Sequence, residues 1–347
     1  MRTQLLFMKN GSSLRSSWTR LRFGLLFLVA AVGCGGSDQP QVVVYTAVDR
    51  GNSEPILERF EAESGIRVLA LYDAEAAKTT GLVSRLIAES DRPRCDVFWN
   101  NEIVQSLMLA QRGMLDPYSP STTGGIPINF IDAGHHWTGV GSRARVIVYN
   151  TKHIESDDAP RSIFELVEPK WKGKVAIANP GFGTTRTHVA ALFAQLGEEK
   201  AKQFLLDLLA NEVRIVDGNA MVKNLVARAH PGASPIYVGL TNTDDVMSGQ
   251  ADGESIEMVY PDQDGIGTLF IPTSVCLIRK APHSEAARKL IDFLVSATTE
   301  TELAANRSGY MSLRSAKLTP KPMAVSFEDL LKQLERSSRW TKGHFHH

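Results

Sequence analysis

A glycine turn that opens directly into an apolar helical pattern is the clearest candidate binding site in this sequence. The turn and the start of the helix are NPGFGTTRTH, residues 179–188. Free backbone amides at a helix start, beside the turn at Gly183, the Thr184 and Thr185 hydroxyls and the Arg186 guanidinium, would bind a carboxylate, carbonate or phosphate group. The alternative is a threonine cap on a buried helix. Because the lysine and spacing of a nucleotide-binding phosphate loop are missing, the pattern predicts an anion site at most.

Two adjacent carboxylates, Asp244 and Asp245, follow the apolar segment SPIYVGL. Carboxylate oxygens are ligands for hard cations such as Fe(III), Mn(II) and Ca(II). The same side chains would also suit the first turn of a helix capped by Asn242, where acids are favoured by the helix dipole. The two roles are compatible.

No motif in the sequence indicates catalysis. There is no G-x-S-x-G nucleophile turn, no H-E-x-x-H metal motif and no nucleophile placed with a base. We therefore predict a binding protein, not an enzyme, with no catalytic cofactor. The alternative from another class is a secreted metal-dependent hydrolase that uses the same carboxylates to activate water.

The first 33 residues have the pattern of a bacterial export signal. A basic segment without acids precedes ten mostly apolar residues, and small residues lead to Cys34. This resembles the lipobox of lipoproteins, in which the cysteine becomes the lipidated first residue. We predict a signal at 1–33, a tether at 34–41, and a lipoprotein at the periplasmic face of a membrane, its only membrane contact being the lipid. The alternative is an ordinary exported protein with a chance cysteine.

Charge and length limit what the exported part can be. Loss of the signal changes 38 basic and 38 acidic side chains to 33 and 38, which gives no basic cluster for nucleic acid. About 310 residues exceed what one core usually organises, so two domains are expected. Cys95 and Cys276 would form either a disulfide or two buried free thiols, because spacing does not decide pairing.

Short apolar strands alternate with amphipathic helices, which predicts parallel sheets covered on both faces. The helix near the mature start is expected to be capped by Asn52 or Ser53, with Pro55 in its first turn. Two such α/β sets are joined by two long apolar strands, so the chain should cross twice between two lobes with a cleft between them. The predicted lobes are 42–140 plus 267–347 for lobe 1, and the inserted segment 141–266 for lobe 2.

The order of these segments resembles the extracellular solute-binding proteins of bacterial ABC importers, and among them most closely the ferric-ion-binding branch. The matching segments are VVVYTAVD, DVFWNNE, SRARVIVYN, PKWKGKVAIANP, GLTNTDD and KAPHSEAARKLIDFL. The resemblance implies a periplasmic-binding-protein-like α/β fold whose two lobes close on a small ligand. It also implies a monomer that delivers the ligand to an ABC permease and its ATPase. A lipid-anchored sensor is the alternative.

The ferric branch also implies a ligand set and a cargo. Its iron-binding histidine, carboxylate and tyrosine pair correspond here to Asp49, to Asn101 with Glu102 one step beyond, and to Asp244–Asp245. The anion that binds with iron would lie in the 183–186 turn with Asn219 and Asn242, which match two asparagines of that branch. The expected cargo is Fe(III) or another hard metal ion with a carbonate, phosphate or citrate-type anion. The alternative is a small anion alone: a phosphonate, phosphate or organic acid.

Overall fold

The computed structural model describes residues 39–73, 80–232, 235–305, 309–314 and 320–345. The predicted export signal and Cys34 lie outside these residues. Residues from Gln39 onward form one compact unit. Within the described ranges, every helix is too short or too polar to cross a membrane.

Ten strands lie in the described residues: β1 (Gln41–Thr46), β2 (Arg67–Tyr72), β3 (Val97–Asn100), β4 (Leu115–Asp116), β5 (Thr138–Asn150), β6 (Val175–Ala178), β7 (Arg214–Val216), β8 (Val238–Asn242), β9 (Ile256–Val259) and β10 (Phe270–Ile278). The α-helices there are α1 (Arg50–Ser64), α2 (Thr80–Ala88), α3 (Ile103–Gln111), α4 (Gly183–Leu196), α5 (Glu198–Ala210), α6 (Asn219–Ala227), α7 (Thr243–Ala251), α8 (Ser284–Leu294), α9 (Ala297–Ala305) and α10 (Phe327–His344).

The strands form two parallel groups joined by antiparallel strands. β1 pairs in parallel with β2 and β3, and β6 pairs in parallel with β7 and β8. In contrast, β10 runs antiparallel to β3, β4 and β5, and β5 runs antiparallel to β8 and β9. The prediction of parallel sheets therefore holds for β1–β3 and for β6–β8 only. Strands β5 and β10 enter the sheet without the crossover helix that parallel pairing requires.

Strand β5 belongs to both groups. Its first half, Thr138–Ala144, pairs with β10, and its second half, Arg145–Asn150, pairs with β8 and β9. All of its residues are buried. Side chains near the middle of β5 are therefore held at the junction of the two groups, where a cleft between lobes is expected.

The C-terminal helix α10 packs against both α4 and α3. Trp340 of α10 lies 6.4 Å from Phe193 of α4 between ring centroids, and Arg336 pairs with Glu198 at 2.9 Å. The end of the chain thus contacts elements from both predicted lobes. The lobe boundaries themselves stay a prediction.

Helix α1 begins earlier than its capping pattern predicted. The amides of Asn52 and Ser53 donate to the Asp49 carbonyl at 2.9 and 3.0 Å, so Asp49 is the N-cap and Pro55 lies inside the helix. The helix ends at Gly65, which has φ 68° and donates to the Glu61 carbonyl, a left-handed cap that glycine adopts without strain.

Cys95 and Cys276 are both free and buried, which supports the second of the two alternatives for these thiols. Burial raises the pKa of each, and that of Cys276 to about 12. Both therefore behave as small apolar core residues.

Candidate ligand-binding site

Arg145 lies at the centre of the candidate site. Its side chain is fully buried on β5. Nη1 donates hydrogen bonds to Asn242 Oδ1 at 2.8 Å, Asn219 Oδ1 at 2.9 Å and Thr184 Oγ1 at 3.2 Å. Nη2 donates a longer bond to Thr185 Oγ1, at 3.4 Å, and one to a backbone carbonyl of β8 at 3.3 Å. Four residues predicted to bind an anion are therefore gathered around one guanidinium.

The acceptors around Arg145 are all neutral. Among the residues that the structure describes, Arg143 forms an ion pair but Arg145 does not, and Arg145 Nε has no hydrogen-bond partner. Burial lowers the pKa of Arg145 to about 10, so it stays charged at neutral pH. Asp245 and Asp244 favour the charged form of Arg145 without forming an ion pair with it, and burying a charge without a paired counter-charge is costly. The site therefore favours an anion.

The guanidinium also fixes the orientation of the two asparagines. Because arginine only donates hydrogen bonds, Asn219 and Asn242 must turn Oδ1 towards it and their NH₂ groups away from it. Asn219 Nδ2 donates to Thr184 Oγ1 at 2.9 Å, which ties α6 to α4. Arg145 thus positions groups from three segments as well as supplying charge.

The starts of α4 and α6 meet at this cluster. The N-cap residues, Phe182 and Gly218, make no side-chain capping bond. Except for Met221, whose amide donates to the Gly218 carbonyl at 3.1 Å, the first-turn N–H groups of both helices keep donor capacity at the positive end of the helix dipole. Because the Thr184–Asn219 bond joins the two helix starts, they form one electropositive cradle suited to a carboxylate or phosphate group.

Arg186 is directed elsewhere. It is half-buried, and its Nε donates to Ser338 Oγ of α10 at 2.8 Å. In this arrangement Arg186 connects the start of α4 to the C-terminal helix α10. Its membership of the anion site stays a prediction.

Arg143 pairs with one of the two adjacent aspartates. Its Nη1 donates to Asp244 Oδ2 at 2.6 Å, and its Nη2 donates to the Asn101 carbonyl at 2.7 Å. The ion pair is mostly buried, with 8% and 17% of the two side chains exposed. Asp244 Oδ1 is buried and has no hydrogen-bond partner among the described residues. Asp244 is thus already neutralised on one side.

Asp245 is the N3 residue of a capping box on α7. Its Oδ2 accepts from Thr241 Oγ1 at 2.9 Å and from the Asn242 amide at 3.3 Å. Burial, and then the negative charge of Asp244, raise the pKa of Asp245. The capping role considered for Asn242 and the aspartates is therefore present in the structure.

Glu102 connects the two sets of elements. It caps α3 by accepting from the Val104 amide at 3.1 Å, and it accepts from Thr187 Oγ1 of α4 at 2.6 Å. Thr187 belongs to the predicted lobe 2, whereas Glu102 belongs to lobe 1. Burial raises the pKa of Glu102. The charged form is therefore penalised in the folded protein, even though both hydrogen bonds favour it.

A Glu102→Gln variant should gain stability at neutral and higher pH. A raised folded-state pKa means that wild-type stability is lost as the pH rises above the ordinary glutamate pKa of about 4.3. Glutamine keeps the accepting oxygen without the charge, so the gain should be largest near pH 8 and should disappear below pH 4. Thermal unfolding of both proteins across this range measures it. An equal difference in melting temperature at every pH would contradict a raised pKa of Glu102.

The predicted metal ligands do not form one coordination group in this arrangement. Asp49 is the N-cap of α1 and half-buried, and Asn101 contributes its backbone carbonyl to Arg143. In the part of the chain that the structure describes, no group of three or more histidine, cysteine, aspartate or glutamate side chains could hold a metal ion. The metal assignment of Asp49, Asn101, Glu102, Asp244 and Asp245 stays a prediction.

Of the site residues, Tyr310 was not deduced from the sequence, whereas Arg143 and Arg145 could be expected either to supply positive charge to the site or to pair with surface acids. Charged residues at positions 143 and 145 share one face of a strand that is otherwise apolar, and this pattern indicates a buried polar function. Tyr310 is buried with its ring 5.7 Å from the Arg143 guanidinium, and Asp244 and Asp49 both act on its pKa, which burial raises. No spacing in the sequence links Tyr310 to these residues.

Residues 96–327 match the family described as bacterial extracellular solute-binding protein. The chain belongs to this family. A curated relative of this solute-binding protein is iron uptake protein A1 of Synechocystis sp., which is 26% identical over 81% of this chain and 78% of its own length. The family assignment confirms the resemblance deduced from the segment order.

Solved structures show the same fold. Iron-bound HitA from Pseudomonas aeruginosa superposes with a TM-score of 0.75 at 22% identity, covering 87% of this chain and 99% of its own. AfuA from Actinobacillus pleuropneumoniae, with exogenous fructose-6-phosphate bound, gives 0.72 at 20% identity, over 87% and 98% of the two chains. The predicted periplasmic-binding-protein-like α/β fold is therefore confirmed.

Proposed function

We propose that this solute-binding protein captures a small solute carrying a carboxylate or phosphate group and delivers it to an ABC permease. The observation that carries the proposal is the buried Arg145 guanidinium, surrounded by neutral acceptors from β8, α4 and α6. The uncapped starts of α4 and α6 add backbone donors beside it. An anion bound there would supply the ion-pair partner that Arg145 lacks among the described residues.

The Arg143–Asp244 pair supports an anion over a bare cation. A metal ion at Asp244 would have to compete with Arg143, which holds Oδ2 at 2.6 Å. It would also lie near two buried guanidinium groups, which repel cations. The sugar phosphate bound to AfuA is an example of such a ligand on this fold.

A metal ion accompanied by an anion is the second candidate. Asp244 Oδ1 is buried without a partner, and Asp245 and Glu102 are further oxygen donors on the neighbouring elements. A hard ion such as Fe(III) prefers such oxygens, and iron uptake protein A1 and HitA are both associated with iron by name. In this case the anion at Arg145 would bind together with the ion.

Anchoring and delivery complete the proposal. The lipobox pattern at Cys34 would hold the protein at the periplasmic face of the membrane, near a permease and its ATPase. Because a tethered protein cannot diffuse away from the membrane with its ligand, it would release the ligand close to the permease. As the resemblance to the ferric-binding branch implies, the protein would do this as a monomer.

Titration calorimetry on untagged, metal-free protein tests the ligand class. Phosphate, citrate and fructose 6-phosphate are each titrated alone and then with one equivalent of Fe(III). We expect at least one anion to bind without metal, with a dissociation constant in the micromolar range or tighter, about −8 kcal/mol. Binding only in the presence of Fe(III) would support the second candidate. No binding of any of these three anions, with or without Fe(III), would reject both candidates.

A further inference from the structure

A short segment late in the chain, residues 309–314, lies against the middle of β5. Met311 forms an antiparallel bridge with Ser142: the Ser142 amide donates to the Met311 carbonyl at 2.9 Å, and the Met311 amide donates to the Ser142 carbonyl at 2.7 Å. Ser142 directly precedes Arg143, whose guanidinium lies 5.7 Å from the centroid of the Tyr310 ring. The segment therefore contacts β5 beside the two buried arginines.

Thr243 joins this segment to the start of α7. Its Oγ1 donates to the Gly309 carbonyl at 2.7 Å and accepts from the Ala144 amide of β5 at 3.2 Å. One buried hydroxyl thus connects the segment to both α7 and β5. Thr243 directly follows Asn242, which accepts from Arg145 at 2.8 Å. A shift of the segment would therefore be transmitted to a group that holds Arg145.

Gly309 makes this close contact possible. It has φ 66°, and a Cβ added to it would overlap the backbone of Asp244 and Thr243. Glycine alone combines this left-handed conformation with so close an approach of two backbones. Any larger residue must displace either the segment or the first turn of α7, which carries the Asp244 partner of Arg143.

The other end of the segment is anchored outside the site. Arg314 pairs with Glu300 of α9 at 2.5 Å, with 12% and 1% of the two side chains exposed. The Leu313 amide donates to the other carboxylate oxygen of Glu300 at 2.5 Å. Arg314 also donates, at 2.6 to 2.8 Å, to the backbone carbonyls of Thr122, Gly124 and Val295. These bonds fix the segment to α9 and to the end of α8.

We propose that residues 309–314 form a strap that positions the binding site, with Gly309 as the residue that lets the strap contact α7 and Arg314 as its anchor. The strap keeps the start of α7 against β5, so that the acceptors of both buried arginines stay in place. Gly309 and Arg314 are positioning residues, because they act through the groups that they hold. Such support matters since small displacements of contacting groups weaken binding. The expected loss of affinity rests on the proposed function, whereas the position of α7 does not.

Gly309→Ala tests the contact with α7. Its matched control is Gly253→Ala, just beyond the other end of α7, where φ is 79° and an added Cβ would meet no atom within 4 Å. Both variants bear the strain of alanine at positive φ, but only Gly309→Ala also displaces backbone. We expect amide hydrogen exchange over residues 239–245 to be at least about tenfold faster in Gly309→Ala than in the control.

Calorimetry gives the effect on binding. Inorganic phosphate, citrate and fructose 6-phosphate are titrated into wild type, and the anion that binds most tightly is used for the variants. We expect Gly309→Ala to bind it about tenfold more weakly than Gly253→Ala does.

The Glu300→Gln/Arg314→Met double variant tests the anchor without leaving an unpaired buried charge. It should also speed exchange over 239–245 and weaken anion binding about tenfold. The control is Arg59→Met, which breaks a 2.9 Å pair between α1 and Glu302 on the same helix α9 and should do neither. Because it changes the far end of the strap, the double variant decides the question if Gly309→Ala does not fold.

Equal exchange over 239–245 in the two glycine variants would overturn the strap, and so would wild-type exchange there in a folded double variant. Wild-type anion affinity in folded Gly309→Ala would overturn its role in binding. If none of the three anions binds the wild-type protein, the proposed function fails, and the exchange results still decide for or against the strap.

Discussion

Replacing Arg145 with methionine should weaken anion binding by at least about 100-fold, which corresponds to about 2.7 kcal/mol. The variant loses the buried positive charge that contacts the cradle and the donor that turns both asparagine oxygens inward. Arg145→Lys keeps the charge but offers three donors instead of five, so we expect a smaller loss of about tenfold. Calorimetry with whichever anion binds wild type most tightly measures both variants.

The stability of these variants separates binding from folding. Arg145→Met leaves several buried acceptors without a donor, which costs unfolding free energy, but it also removes a buried unpaired charge. Circular dichroism and urea unfolding should therefore show a folded protein. Arg336→Met on the surface of α10, where the side chain is 63% exposed, should bind like wild type. A folded Arg145→Met protein with wild-type affinity would remove the basis for the proposed site.

Breaking the Arg143–Asp244 pair should have the largest effect on stability. Arg143→Met leaves Asp244 charged, mostly buried and unpaired, which should reduce the unfolding free energy by about 3 kcal/mol at pH 7. Adding Asp244→Asn removes that charge and should recover a large part of the loss. Urea unfolding of wild type, both single variants and the double variant gives the coupling energy directly.

An exposed pair provides the comparison. Arg336 and Glu198 lie 2.9 Å apart with 63% and 32% of their side chains exposed, so that Arg336→Met should cost less than about 1 kcal/mol. If Arg143→Met costs no more than Arg336→Met, the buried pair is not a structural element of the site. Asp244 would then be available to a metal ion, and this result would favour the second candidate function, binding of a metal ion together with an anion.

The fold was predictable because its signals are local or follow the chain order. The alternation of apolar strands and amphipathic helices predicted two α/β sets, and two long apolar strands were expected to connect them, as β5 and β10 do. The antiparallel directions of β5 and β10 were not predicted. Strand direction depends on which segments meet in space, and an apolar run has the same appearance in either direction.

The binding residues were partly predictable from local chemistry. Thr184 and Thr185 were identified because they follow a glycine turn at the start of a predicted helix. Asn242 was identified because it can cap the next predicted helix. Their relationship to Arg145 was not visible, since the bonds span from 39 to 97 positions in the chain. Arg186, the charged residue inside the motif, instead bonds to Ser338, which is 152 positions away.

The sequence alone determined the identity of the side chains that can carry charge and the family order of segments in which they occur. Only the tertiary structure decided how those charges are paired. Asp244 faces Arg143 and Asp245 caps a helix, whereas Arg145 is left with neutral partners. The physical reason is that hydrogen bonds and ion pairs form only between groups within about 3 to 4 Å of each other, and these distances arise when distant strands and helices pack together.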